Sequence, residues 1–199
     1  MGTPDRHEHW SSMAAPRIAL IALCLVALTG CTAPAADAPV ADQPADDPTT
    51  TLVLISPDID AEGYVTAANT GDVAPYCDGE NISPAFSWTG VPEGTESFTL
   101  LMTDPNYADY DHWVVTGIPG DTTSLAAAPA GAVEVGIVGT NSRGPGDFVG
   151  PCQPDNGYLF TLYALDSVIE GDATTTPAGA LDLIEGHVLA EASIEASRH

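Results

Sequence analysis

The segment Tyr158-Leu159-Phe160-Thr161-Leu162-Tyr163-Ala164-Leu165 narrows most what this chain can fold into. At a period of two, Tyr158, Phe160, Leu162 and Ala164 face one way and Leu159, Thr161, Tyr163 and Leu165 the other. Both faces are largely apolar, so the strand needs a covering layer on each side. Shorter strand-like runs precede it at Leu52–Ile55, Tyr64–Thr66, Phe86–Trp88, Ser97–Thr103, His112–Ile118 and Val133–Val138, with Gly/Pro turns such as Thr89-Gly90-Val91-Pro92 and Pro119-Gly120 between them. Short strands punctuated in this way predict a mainly β fold, an antiparallel β-sandwich or barrel. The tail has a different character. Thr176-Pro177 reads as an N-cap and first-turn pair, and Ala178 to Ala192 as a C-terminal helix with Gly186 as its point of interruption.

Upstream, Arg17 is the only charge between Met13 and Cys31, and Ile18 to Leu28 is almost wholly apolar. That run is too short to span a bilayer and reads as the core of a signal peptide over residues 1–30, with Met13 as an alternative start. Leu28-Thr29-Gly30-Cys31 matches the cleavage pattern of a bacterial lipoprotein, which implies lipidation at Cys31. From Thr32 to Thr51 the chain carries four prolines and no aromatic residue. Such a stretch cannot bury enough surface to fold, so residues 31–51 are expected to be an extended tether. Residues 52–199 then form a single domain of ordinary size.

Charge excludes several partners. The chain holds four Arg, no Lys and 28 acids, a formal charge of −24, and only Arg143 and Arg198 follow Cys31. Nucleic-acid binding needs cations on phosphates, and a polybasic membrane patch needs them in a cluster. Neither is available here. The expected contact with a membrane is through the lipid alone, on the outer face of the cell membrane or in the periplasm. Beyond the leader, Cys77 and Cys152 are the remaining cysteines. An even pair in an exported domain suggests a disulfide, two reduced thiols being the alternative. No His or Cys sits at ligand spacing from either, so no metal is expected there.

Polar residues at strand ends carry the candidate chemistry: Asp104-Pro105, His112-Trp113, and Gly150-Pro151-Cys152-Gln153-Pro154-Asp155. Loops on a rigid β-framework are where ligands are held. A His can donate to an anion through one ring nitrogen while a carboxylate orients the other. A Gly-Pro loop allows close backbone approach, and its amides can donate without charge.

These segments also carry a resemblance. Cys77-Asp78-Gly79-Glu80-Asn81-Ile82-Ser83-Pro84-Ala85-Phe86-Ser87-Trp88, Thr103-Asp104-Pro105, His112-Trp113-Val114-Val115, Gly150-Pro151-Cys152, Tyr158 to Asp166 and Gly186-His187-Val188-Leu189-Ala190 stand in the order found in the phosphatidylethanolamine-binding (PEBP) family. The chain resembles the bacterial Raf kinase inhibitor-like branch, the YbhB/YbcL type. The resemblance covers roughly Leu52 to His199. It implies a sandwich of two antiparallel sheets with a small anion-accepting pocket at one end. Carried over, Asp104 and His112 would form the floor, Gly150 and Pro151 the rim, and Tyr158 a wall. Two departures stand out. Asn156-Gly157-Tyr158 replaces the family's usual His-Arg-Tyr, and Asp104-Pro105-Asn106-Tyr107-Ala108 its Asp-Pro-Asp-Ala-Pro. Asn156 cannot carry a positive charge, so Arg143 becomes the candidate to supply one.

The reading that follows is a lipid-anchored extracytoplasmic binder of a small anionic or phospholipid-like head group, needing no cofactor. A protein-interaction module inhibiting a kinase or protease is the alternative, supported by family analogy alone. Catalysis is not expected. The chain has no Gly-x-Ser-x-Gly elbow and no metal-ligand spacing to activate a water near Asp104 and His112.

Overall fold

The computed structural model describes residues 51–154 and 156–199. The leader, the Cys31 lipid site and all of the tether except Thr51 lie outside the described residues. In chain order the elements are β1 (Val53–Ile55), a 3-10 turn (Ala67–Asn69), β2 (Ile82–Ser83), β3 (Phe86–Thr89), β4 (Ser97–Thr103) and β5 (Trp113–Pro119). The short strands β6 (Ser124–Leu125), β7 (Ala128–Pro129), β8 (Ile137–Val138), β9 (Thr140–Asn141) and β10 (Gly144–Pro145) follow. The chain ends with β11 (Tyr158–Leu165), α1 (Pro177–Ile184) and β12 (Val188–Ala196).

A five-stranded antiparallel sheet in the order β12-β11-β4-β5-β8 packs against a three-stranded sheet in the order β1-β3-β6. The core between them joins Leu54, Phe86, Trp88 and Leu125 from the smaller sheet to Phe98, Leu100, Met102, Trp113, Phe160 and Leu162 from the larger. Helix α1 covers the other face of the large sheet, where Ala180 meets Leu101 and Val114 with Tyr163 beside them. The two-faced apolar pattern of β11 thus has its physical cause: one face meets the second sheet, the other lies on the side that α1 covers.

The tail departs from expectation. Helix α1 starts as read, with the Thr176 hydroxyl accepting the Gly179 amide at 3.0 Å, but it ends at Ile184. Gly186, at φ +82°, turns the chain, and Val188–Ala196 runs back as a strand paired to β11 from Leu165↔Val188 to Tyr158↔Ala196. An unpaired β11 edge would expose a row of backbone donors and acceptors; pairing satisfies them and overrides the helical preference of Leu, Ala and Glu. Two smaller expectations also change. Tyr64–Thr66 forms only the isolated bridges Ile59↔Val65 and Tyr64↔Ser197, and of Val133–Val138 only Ile137–Val138 is strand.

Candidate ligand-binding site

Sheet register builds the site. Met102 pairs with Trp113, and Leu159 with Thr103. One step further along each ladder lie His112, Asp104 and Tyr158, which therefore meet at one end of the large sheet. All three are buried: Asp104 and His112 are 4% exposed and Tyr158 is 1% exposed. They line a cavity of about 230 Å³. Tyr107 and Tyr110, from the loop joining β4 to β5, line it together with Val73, Tyr76, Val149, Cys152 and Gln153. Sites for drug-sized ligands run to roughly 300–1,000 Å³, so this one suits a smaller group.

The imidazole of His112 is held through Nδ1, which lies 2.7 Å from the Val149 carbonyl oxygen. A carbonyl only accepts, so Nδ1 carries the proton. The sequence reading had a carboxylate orienting the ring; a backbone carbonyl does so instead. Among the described residues the ring makes its hydrogen bond through Nδ1 and none through Nε2, and it lines the cavity. Its nearest charge is Asp104 Oδ2, at 4.0 Å. Burial pushes the His112 pKa below its ordinary value, against the raising influence of the Val149 carbonyl and of Asp104 and Asp111. The ring is neutral at pH 7, and its approach to Asp104 is a contact, not an ion pair. Tyr110 and Tyr158 flank it, each with its ring centroid 5.1 Å away.

Asp104 is fixed by local and distant donors. Oδ1 accepts the amides of Asn106 at 2.9 Å and Tyr107 at 3.2 Å, the turn that Asp-Pro initiates. Oδ2 accepts Nδ2 of Asn156, whose own Oδ1 accepts Nδ2 of Asn106. The family's usual residue here is absent, yet Asn156 bridges two loops and orients the carboxylate. The Tyr158 hydroxyl accepts the amides of Cys152 and Gln153 at 3.2 and 3.1 Å. Its own proton has no acceptor among the described residues, and so remains a donor.

Gly150 and Pro151 flank lining residues without lining the cavity themselves. The Gly150 amide donates to Asn81 Oδ1 at 3.0 Å, so it is not free for a guest. A Cβ at Gly150 would lie 2.4 Å from the Asn69 carbonyl oxygen; the close approach that demands glycine is to the chain's own backbone. The Pro151 carbonyl likewise accepts the Gly71 amide at 3.1 Å. Arg143 does not supply the cavity's cation. Nη1 pairs with Asp72 and Nε with Asp147 at 3.2 Å, and the side chain is not among those lining the cavity. Asp72 alone is 71 positions away in sequence, so no local signal could reveal this pairing.

Cys77 and Cys152 are joined as a disulfide across 75 positions. It ties the loop bearing Val73 and Tyr76 to the one bearing Cys152 and Gln153. Sequence reasoning passed over Tyr76, Tyr107 and Tyr110 as wall residues, although 70%, 59% and 40% exposure makes them unusual for tyrosine. Large aromatics in loops beside Asp104 and His112 were the available signal.

A sequence profile described as phosphatidylethanolamine-binding protein matches residues 56–199. The chain belongs to this family. It is 42% identical over 125 residues to a UPF0098 protein of Methanothermobacter thermautotrophicus, covering 59% of this chain and 83% of that protein. With UPF0098 protein YbhB of Escherichia coli it shares 34% identity over 135 residues, 60% of this chain and 82% of the relative. A Mycobacterium tuberculosis relative named "Putative lipoprotein LppC" is 34% identical over 125 residues, which make up 59% of this chain and 57% of that protein. The crystal structure of E. coli YbcL, described as a new member of the mammalian PEBP family, superposes with a TM-score of 0.67 at 26% identity, covering 74% of this chain and 98% of that one. Among the described residues, no helix is long and apolar enough to cross a membrane.

Proposed function

We propose that this protein is a lipid-anchored, extracytoplasmic binding module that receives a small anionic or phospholipid-type head group in the cavity between Asp104, His112 and Tyr158. One observation carries this reading: the His112 Nε2 is left without a partner in a cavity of about 230 Å³, beside a hydroxyl with a free proton. A protein that uses these residues only for stability has no need to leave a buried acceptor and a neighbouring buried donor both uncommitted. The wall also favours binding over catalysis. Cys152 is locked in a disulfide, no Ser or Thr among the described residues lines the cavity, and Asp104 is held by three donors. Anchoring and export are supported by the Cys31 pattern, by the disulfide and by a relative whose name places it among lipoproteins.

Thermal-shift titration of the full-length protein at about pH 5, where a phosphate monoester is mostly singly ionised, with phosphorylethanolamine beside ethanolamine alone, tests the ligand class. Stabilisation that saturates with the phosphorylated compound and not with ethanolamine is expected. No stabilisation by any anionic head group refutes the reading. Anchoring is tested separately by replacing Cys31 with Ala, which should release the protein from the membrane fraction.

A further inference from the structure

The two cations among the described residues are both spoken for. Arg143 is paired with Asp72 and Asp147, and Arg198 donates to the carbonyls of Tyr76 and Cys152. Among the described residues no Lys or Arg lines the cavity, while the buried carboxylate of Asp104 does. An anion entering this site meets a charge of its own sign and a neutral imidazole. Because Nδ1 is committed to the Val149 carbonyl, that neutral ring turns a lone pair, not a proton, toward the guest. Burying an unpaired charge in such surroundings is strongly unfavourable. His112 is the one wall residue that can become cationic near neutral pH.

We propose that the cavity takes up a singly charged oxyacid anion together with one proton, which settles on His112 Nε2. This rests on the head-group reading above and specifies its chemistry. The charge balance selects the guest. The empty site holds Asp104 as −1 and His112 as 0; the filled site holds −1 on Asp104, +1 on His112 and −1 on the guest. Net charge is unchanged for a monoanion and becomes one unit more negative for a dianion. Carboxylates and the monoanionic forms of phosphate esters are therefore accepted, and dianions are disfavoured. A monoanionic phosphate ester also keeps one hydroxyl that can donate to Asp104, which its dianion lacks.

The groups facing the imidazole support the proton once a guest is present. Asp104 and Asp111 favour the imidazolium, and burial opposes it. Tyr110 and Tyr158 flank the ring, and Tyr76 and Tyr107 complete the wall without adding charge. The guest supplies the counter-charge that the empty cavity withholds. Binding and protonation are then linked: above the free-state pKa of His112, affinity falls about tenfold for each pH unit gained.

Isothermal titration of the full-length protein with sodium acetate tests this, because acetate stays singly ionised from about pH 6 to 8. Repeating it in buffers of differing ionisation heat counts the protons exchanged. The expected result is close to one proton taken up per acetate at the upper end of that range, with the tenfold-per-unit weakening. In His112→Gln, which keeps a neutral donor, any binding that remains is independent of pH. Wild-type binding with no proton uptake and a flat pH profile overturns the proton linkage and leaves the head-group reading standing. If neither acetate nor phosphate binds at any pH, the head-group reading itself falls, and the linkage with it.

Discussion

Replacing Asn81 should disturb fold and site together. Asn81 is 4% exposed and sits at φ 54°, in the left-handed region. Its Nδ2 donates to the Phe148 carbonyl at 2.5 Å, and its Oδ1 accepts the Gly150 amide at 3.0 Å. These two bonds bracket Val149, whose carbonyl holds His112 Nδ1. Asn81→Gly keeps the backbone conformation but strands both buried groups, at about 1–3 kcal/mol each, or about 4 kcal/mol together. Asn81→Ala loses the same bonds and adds the left-handed penalty, about 1 kcal/mol more. For a domain of this size, the glycine variant should melt about 8–16 °C lower. Urea unfolding followed by the fluorescence of buried Trp88 and Trp113 gives the free energies, and a thermal melt on the same signal gives the temperature shift. A glycine variant within about 1 kcal/mol of wild type would show that these bonds do not hold the 148–150 loop. Equal losses for Gly and Ala would remove the argument from backbone conformation.

Three further outcomes follow from the geometry. Replacing Cys77 and Cys152 together by Ser releases a loop spanning 75 positions and should cost about 4 kcal/mol. Calorimetry showing an unchanged melting temperature would refute that chain-entropy account. Asn156→Ala removes the side-chain donor to Asp104 Oδ2 and should destabilise by about 1.5–3 kcal/mol in urea, whereas a neutral result would mean the bridge is dispensable. His112 contributes a pH slope of known sign. Its folded-state pKa is lowered by burial, so below about pH 6.5 the unfolded chain binds more protons than the folded one. Stability should therefore fall with pH from there down to the folded-state pKa and then level off. Subtracting the profile of His112→Gln isolates this contribution; a difference profile that is flat, or rises toward acid, contradicts it.

The parts of this molecule that were legible in sequence are those governed by local pattern. The period-two alternation of Tyr158–Leu165 holds because that strand packs against covered faces on both sides, and Asp104 and His112 announce themselves by closing and opening strands. The tail was misread because Val188–Ala196 is an edge strand, 42% exposed at both Val188 and Leu189, and composed of good helix formers. Its state is decided by the open edge of β11, which no local window contains. Gly150 shows the same limit at the site. The motif correctly marked a close backbone approach, but the partner is Asn69 and not a guest. Arg143 could be assigned to the cavity only while Asp72 was out of view.

The imidazole of His112 offers the most direct test of the cavity as a binding site. Nitrogen-detected NMR of the full-length protein, before and after excess phosphate at mildly acidic pH, reports its two ring nitrogens separately. Nδ1 should remain protonated throughout, while Nε2 changes from an unprotonated to a protonated shift as phosphate is added. Unaltered resonances from both nitrogens at saturating phosphate would contradict the account.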